Sequence, residues 1–196
     1  MIDYLLNSLL NVVPERKAII RVCTSLAVTG LLLVGCTTPT SSFPNEPLPP
    51  LPDNNETATR QLIDLINEKR ASGYTCPSGT FGPTQALSEN EALEEAALKH
   101  SHDMEVNNFF AHQSQNDGTR VEDRVEAAGY GEFRKVGENL ARFSGQVEAS
   151  DVLDIWLTSD QFHCRALMDS DFTEVGVGVV DFGDSPYWTA VFANPQ

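Results

Sequence analysis

Basic residues are scarce in this chain. Its 196 residues include 13 Lys and Arg against 28 Asp and Glu, which gives a formal net charge of −15 at pH 7. Proteins that bind nucleic acid regardless of its sequence need Lys- and Arg-rich surfaces to neutralise phosphates, and docking on anionic lipid needs similar surfaces. The composition therefore excludes nucleic acid as a partner and argues against electrostatic attachment to a membrane surface.

Long apolar runs are also missing, since none reaches the roughly 20 residues that a membrane-spanning helix needs. The stretch from Val22 to Val34 follows a basic flank and has the length of the hydrophobic region of a signal peptide. It closes with Leu33-Val34-Gly35-Cys36, which resembles the bacterial lipobox. The resemblance implies that residues 1–35 are a lipoprotein signal peptide, cleaved before Cys36, and that Cys36 is lipidated. The alternatives are an uncleaved signal anchor and a plain secretory signal.

Cysteine is rare as well. Of the four cysteines, Cys23 and Cys36 belong to the leader, which leaves Cys76 and Cys164 in the rest of the chain. An even pair of cysteines in the oxidising cell envelope predicts one disulfide. The alternative is a pair of buried, reduced thiols.

A segment rich in Pro, Ser and Thr separates the leader from the part that folds. Such a composition cannot bury a core and favours extended conformations. We therefore predict three parts: a signal peptide at 1–35, a linker at 36–57 that begins with the lipidated cysteine, and a folded domain at 58–196.

Four helices are predicted from apolar periodicity and from residues that start or end helices. Their ranges are 58–72, ended by Gly73; 88 to about 107, opened by a capping box of Ser88 and Glu91; 119 to about 128, opened by a capping box of Thr119 and Glu122; and 147–157. The segment from Tyr74 to Pro83 is predicted to be a loop.

The last part of the domain changes period. Residues 174–182 and 187–192 are predicted to be strands of one hairpin, because turn residues separate them. Both strands are apolar on both faces, so helices should cover the sheet on both sides. The fold class is α+β, with helices on both faces of a small antiparallel sheet, and Gly176 and Gly178 allow a helix to pack closely.

Several short motifs follow one another in a set order over residues 60–193. They are His100-Ser101-His102-Asp103-Met104, Phe109-Phe110-Ala111-His112, Asp117-Gly118, Arg124, Ala128-Gly129-Tyr130, Gly137-Glu138-Asn139-Leu140-Ala141, Trp156-Leu157-Thr158-Ser159, His163-Cys164, Glu174-Val175-Gly176-Val177-Gly178 and Tyr187-Trp188. This order resembles the CAP superfamily of cysteine-rich secretory proteins, antigen 5 and pathogenesis-related 1 proteins, in its bacterial SCP-like branch. The resemblance implies an α-β-α sandwich.

The resemblance also implies a central cleft with two His and two acidic residues. His112, Glu138 and His163 match three of the four positions. The second acid of the family lies just after the tryptophan helix, where this chain has Ser159 and Asp160; either Asp160 supplies it or the chain has no fourth member. Two imidazoles and a carboxylate can bind Zn²⁺ or another divalent metal.

Each of these residues also has a structural interpretation. Glu138 follows Gly137 and can bond backbone N–H groups of a tight turn. A lone His is more often a hydrogen-bonded structural residue than a ligand. His100 falls on the apolar face of its predicted helix with Leu93 and Met104, which predicts a packing role.

The sequence favours a binding module over an enzyme, because it lacks an activated nucleophile and a complete acid–base set. We predict an envelope-anchored lipoprotein whose cleft takes a small molecule, a lipid or a protein. One alternative is a metal-dependent, protease-like hydrolase that uses His112, Glu138 and His163. The other is a structural or partner-binding lipoprotein with an inert cleft.

The predicted location is the bacterial cell envelope, with the domain outside the cytoplasm and the membrane as partner of the lipid at Cys36. Thr37 follows that cysteine, instead of the Asp associated with retention in the inner membrane. In an organism with two membranes, this favours the outer one.

Overall fold

The computed structural model describes residues 53–158, 161–181 and 185–196, all of them within the unit Glu46–Gln196. The predicted signal peptide, Cys36 and most of the linker lie outside the described residues, and so does Asp160.

Five helices and six strands form the described part of the chain. The helices are α1 (Asp53–Ser72), α2 (Glu91–Asn107), α3 (Val121–Ala127), α4 (Ala149–Thr158) and α5 (Gln161–Met168). The strands are β1 (Tyr74–Cys76), β2 (Gly79–Phe81), β3 (Ser88–Glu89), β4 (Phe133–Arg142), β5 (Glu174–Val180) and β6 (Tyr187–Pro195). Within the described ranges, no helix combines the length and the apolar character that crossing a bilayer demands.

The main sheet has four strands in the order β3-β5-β6-β4. Strand β6 pairs antiparallel with β5 on one side and with β4 on the other, and the short β3 joins β5 in parallel. Strands β1 and β2 form a separate antiparallel pair. The predicted hairpin of the last two strands is confirmed.

Helices cover both faces of this sheet. On one face, α1, α4 and α5 pack on residues that alternate along β5 and β6, among them Val175, Val177 and Phe192. On the other face, α2 and α3 pack on the intervening residues Val191 and Ala193. The α+β class with helices on both faces is therefore confirmed, because the double-sided apolar pattern of both strands needs a cover on each side.

Helix α2 lies unusually close to β5 at two glycines, as their sequence pattern predicts. A Cβ atom on Gly176 would lie 2.0 Å from the backbone nitrogen of Glu94, and one on Gly178 would lie 2.3 Å from that of Leu98. Neither distance is sterically possible, so any side chain at these positions would push the helix off the sheet.

Five local predictions are wrong. Helix α1 begins at Asp53, inside the predicted linker, and not at residue 58. Residues predicted as a loop after Gly73 form the β1–β2 hairpin. Ser88 does not cap α2, because it pairs with Glu174 of β5; the side chain of Asn90 accepts the backbone N–H of Ala92 at 3.0 Å and caps the helix instead.

The other two errors concern the start of α3 and the segment around Glu138. The capping box of α3 lies one residue later than predicted, because Arg120 and not Thr119 is the N-cap residue. Asp123, not Glu122, accepts the backbone N–H of Arg120 at 2.8 Å. The segment around Gly137 and Glu138, interpreted as a turn, is the interior of the ten-residue strand β4. Its Gly, Glu and Asn content disfavours a strand locally, and the long pairing with β6 overrides that preference.

Candidate functional site

Strand β4 carries Glu138 into the interior. Glu138 lies opposite Val191 of β6, on the face that α2 and α3 cover. Its side chain is only 2% exposed. A buried carboxylate is costly to desolvate unless it is paired and hydrogen-bonded, so its partners define the site.

Both carboxylate oxygens of Glu138 have a partner. Arg124 of α3 donates from Nη2 to Oε2 at 2.6 Å. His112 has its Nδ1 2.8 Å from Oε1. A carboxylate that is paired with a guanidinium only accepts hydrogen bonds, so in this contact His112 donates from Nδ1 and its Nε2 faces away from Glu138.

Arg124 has further contacts in the same region. Its Nη2 also donates to the carbonyl of His112 at 3.2 Å, and its Nη1 donates to the carbonyl of Thr119 at 3.1 Å. Its side chain is 7% exposed. One guanidinium therefore holds three groups. They are the Glu138 carboxylate that binds the His112 ring, the backbone carbonyl of His112, and the carbonyl of Thr119 at the end of the loop before α3.

A second imidazole, that of His100 on α2, lies behind Glu138. It is fully buried, its Nε2 lies 3.0 Å from the carbonyl of Ala111, and the same nitrogen is 4.0 Å from Oε1 of Glu138. Its Nδ1 has no hydrogen-bond partner among the described residues. His100 thus lies in the core, as predicted, and its ring also borders the site.

The ring of His112 faces an open cleft. This side chain is 62% exposed, in contrast to Glu138 beneath it. The cleft has a volume of about 340 Å³ and is lined by His112, Gln113, Arg120, Val121, Glu122 and Glu138. This is within the size range of sites for small ligands.

His163, the third predicted member, lies in α5. Its backbone carbonyl accepts a hydrogen bond from Nδ2 of the buried Asn139 at 3.1 Å. Asn139 lies opposite Ala190 and faces the α1, α4 and α5 side of the sheet, whereas Glu138 faces the α2 and α3 side. His163 is not among the residues that line the cleft at His112.

The described residues contain no group of three or more His, Cys, Asp or Glu arranged to hold a metal ion. Glu138 is already held by Arg124 and His112. Among the described residues, His112, Glu138 and His163 do not make up such a group, and Asp160 lies outside the described residues. The prediction of a divalent metal stays a prediction, and no chemical step is derived through one.

Neither the role of Arg124 nor the position of His100 beside the cleft is predicted from the sequence. Arg124 belongs to the motif set that carries the family resemblance. The sequence separation between Arg124 and Glu138 does not indicate that their side chains pair, because the contact joins α3 to the middle of β4.

The cysteine-rich secretory protein (CAP) family profile matches residues 63–192. The match covers more than half of the chain and includes every residue of the site described above. This chain belongs to the CAP family.

Individual relatives of this CAP domain agree with that assignment. A Bacillus subtilis protein named uncharacterized membrane protein YlbC is 34% identical over 136 residues, which cover 69% of this chain and 34% of that protein. A crystal structure of an extracellular protein containing an SCP domain from Bacillus anthracis aligns with a TM-score of 0.59 and 28% identity, covering 74% of this chain and 45% of that one.

The fold also recurs in an outer surface protein from Borrelia burgdorferi. That structure has a TM-score of 0.58 and 19% identity, and the alignment covers 72% of this chain and 96% of that one. The two Bacillus relatives are much longer than the region they share with this chain, which spans about a third of one and less than half of the other.

The CAP domain contains the predicted disulfide. Cys76 of β1 is bonded to Cys164 of α5, over a sequence separation of 88 residues, with a Cα–Cα distance of 5.8 Å. Since Cys164 follows His163, the bond and Asn139 together hold the backbone of His163 from two sides.

Removing this disulfide should lower stability and loosen His163. For a loop of this length we expect the variant Cys76→Ala, Cys164→Ala to lose about 3–5 kcal/mol of unfolding free energy, measured by urea denaturation. The imidazole resonances of His163 should change more than those of His112, which Arg124 holds independently. Unchanged His163 resonances in a folded variant would contradict the second part of this prediction.

The buried His100 should make the domain sensitive to acid. Burial lowers the pKa of His100, and the nearby Glu138 opposes this without overcoming it; Arg124 lowers the pKa further and Asp103 raises it. In the unfolded chain His100 has an ordinary pKa of about 6.5, so on acidification it is protonated there at a higher pH than in the folded domain. The contribution of neutral His100 to the free energy of unfolding is therefore complete above about pH 6.5 and falls as the pH drops below it.

The variant His100→Gln tests this dependence. Gln keeps a donor for the carbonyl of Ala111 and does not titrate. The decrease in the urea midpoint between pH 7.5 and pH 5 should be smaller in the variant than in the wild type. An equal decrease in both proteins would assign the acid sensitivity to other groups.

Proposed function

We propose that this chain is a lipoprotein of the bacterial cell envelope whose CAP domain binds a small molecule, a lipid or a protein partner in the cleft around His112. The observation that carries the proposal is the contrast within one hydrogen-bonded set: an exposed imidazole on a buried, fully paired carboxylate. This arrangement orients a ring toward solvent and leaves its Nε2 for a ligand.

The same contrast argues against Glu138 as the general base of a hydrolase. A general base must be able to accept a proton from a water or a substrate within hydrogen-bond reach. Glu138 is 2% exposed and its oxygens already accept from Arg124 and His112. We therefore assign Glu138 to orienting His112, as carboxylates do for functional histidines in many proteins.

Photo-crosslinking in cells tests the cleft. We would place a photoreactive amino acid at Glu122, an exposed residue of α3 that lines the cleft. The matched control is Glu126, exposed one turn further along the same helix. We expect an adduct at position 122, seen by intact mass or on a gel, that is reduced several-fold by His112→Ala. Equal adducts at both positions, or no effect of His112→Ala, would refute the proposed binding site.

Zinc calorimetry on the full chain separates this proposal from the hydrolase. We expect no binding of micromolar affinity or tighter, because Glu138 is already held by Arg124. Micromolar binding that is lost in both His112→Ala and His163→Ala would instead support a metal centre and justify a screen for hydrolysis.

The proposal of a lipid anchor is supported by the lipobox-like sequence that ends at Cys36. It is also supported by the names of two relatives, one a membrane protein and the other an outer surface protein. The wild-type chain should partition into the detergent phase of a Triton X-114 extraction and take up labelled palmitate. Cys36→Ser should abolish the label and leave the protein in the leader-bearing form. Persistent palmitate label in the variant would place the lipid elsewhere.

A further inference from the structure

We infer that Arg124 is the positioning residue of the cleft: through Glu138 and through the backbone, it holds His112 in the form that carries its proton on Nδ1, so that Nε2 is presented to the ligand. The inference rests on the proposed function, because it concerns the residue that the ligand would meet. It assigns the orientation of that residue to a side chain that does not itself face the cleft.

Glu138 is a buried carboxylate that needs a partner of opposite charge. Its side chain is 2% exposed, and a buried carboxylate is costly to desolvate unless it is paired and hydrogen-bonded. Arg124, itself 7% exposed, supplies that cation at 2.6 Å. Ionised Glu138 can only accept hydrogen bonds, so the nitrogen of His112 at 2.8 Å from it must be the donor.

Arg124 also contacts the backbone of the loop that carries His112. The planar guanidinium reaches three acceptors at once: Oε2 of Glu138, the carbonyl of His112 and the carbonyl of Thr119. The loop between His112 and Thr119 is closed by further bonds of its own, including the backbone N–H of Ser114 to the carbonyl of Thr119 at 2.9 Å. Arg124 therefore fixes the backbone that carries the ring as well as the carboxylate that orients it.

Arginine and lysine differ in how they could fill this position. A lysine offers its donors from a single atom, whereas the arginine fork spreads them across a plane. The three acceptors lie on a strand, before a helix and at the start of a loop, so a single ammonium would satisfy only some of them. The arrangement therefore depends on the guanidinium and not on charge alone.

The experiment uses the full chain, without ligand, labelled with ¹⁵N on histidine. Two-bond proton–nitrogen correlation spectra above pH 7.5 show which ring nitrogen of each of the four histidines carries the proton. The His112→Ala spectrum identifies the signals of His112. We expect His112 of the wild type to be protonated on Nδ1.

In Arg124→Gln, the Nδ1-protonated fraction of His112 should fall at least twofold, with signals of the other form appearing. The matched control is Arg134→Gln, since Arg134 is an exposed arginine four residues before Glu138 on the same strand. The control should leave His112 unchanged. If Arg124→Gln does not fold, Arg124→Lys replaces it, and there the fraction should fall less but measurably.

Two results would overturn the inference. One is a wild-type His112 that is protonated on Nε2. The other is an unchanged His112 in every folded Arg124 variant, which would give Arg124 a role in stability alone. Both are seen in the ligand-free protein, so they are distinct from a failure of the crosslinking experiment, which would refute binding in the cleft while leaving this arrangement in place.

Discussion

Replacing Gly178 by alanine is expected to destabilise the domain by about 3 kcal/mol or more, a large share of the roughly 5–15 kcal/mol that keeps a typical domain folded. The new Cβ atom would lie 2.3 Å from the backbone nitrogen of Leu98 and 2.4 Å from its Cα. These are backbone atoms in the middle of α2, which cannot move aside as a side-chain tip does. The helix would have to separate from β5, and the cluster that α2 forms with Val191 and Ala193 would lose contact.

Urea denaturation followed by circular dichroism measures the effect of Gly178→Ala. The control is Gly82→Ala, because a Cβ atom on Gly82 would meet nothing within 4 Å. There we expect a change below about 1 kcal/mol, since alanine only reduces the freedom of the unfolded chain. Similar losses in the two variants would mean that close helix–sheet packing is not the cause.

Replacing Arg70 by methionine is expected to cost about 3–5 kcal/mol of unfolding free energy. Arg70 lies at the end of α1 and is fully buried. It donates to the carbonyls of Gln85 at 2.8 Å, Leu167 at 2.7 Å, Asp169 at 2.9 Å and Phe172 at 3.0 Å. The methionine would fill much of the volume but would leave these four acceptors without their donor.

The control for Arg70 lies on the same helix. Arg60 is 65% exposed and pairs with Glu56 one turn earlier at 2.7 Å. Because exposed pairs of this kind contribute little, Arg60→Met should change stability by less than about 1 kcal/mol. If the two substitutions had similar effects, the buried hydrogen bonds of Arg70 would not be a major source of stability.

Arg70 and Gly178 differ in how far they could be predicted. Gly178 sits with Gly176 inside an otherwise apolar strand, and the sequence alone predicts a close helix–sheet contact there. Arg70 follows Lys69 in the last turn of α1 and has the pattern of an exposed helix end. Nothing in the chain near Arg70 indicates that the α5–β5 connection, about 100 residues later, folds over it.

By itself, the sequence determined the elements whose signals are local. The apolar periodicity of α2, the turn-forming residue types between the last two strands, and the double-sided apolar pattern of both strands are properties of neighbouring residues. They were enough for the α+β class and the covered sheet. The order of short motifs was enough for the CAP family, and the two cysteines of the domain were enough for the disulfide.

Only the tertiary structure decided what surrounds Glu138. The strand character of β4 comes from its pairing with β6, against its own composition, and that pairing places Glu138 opposite Val191 on the face of α2 and α3. Arg124, His112 and His100 then reach the same carboxylate from three separate segments. A hydrogen bond between distant residues depends on the relative placement of whole elements, which is set by packing over the entire core, so no local pattern contains it.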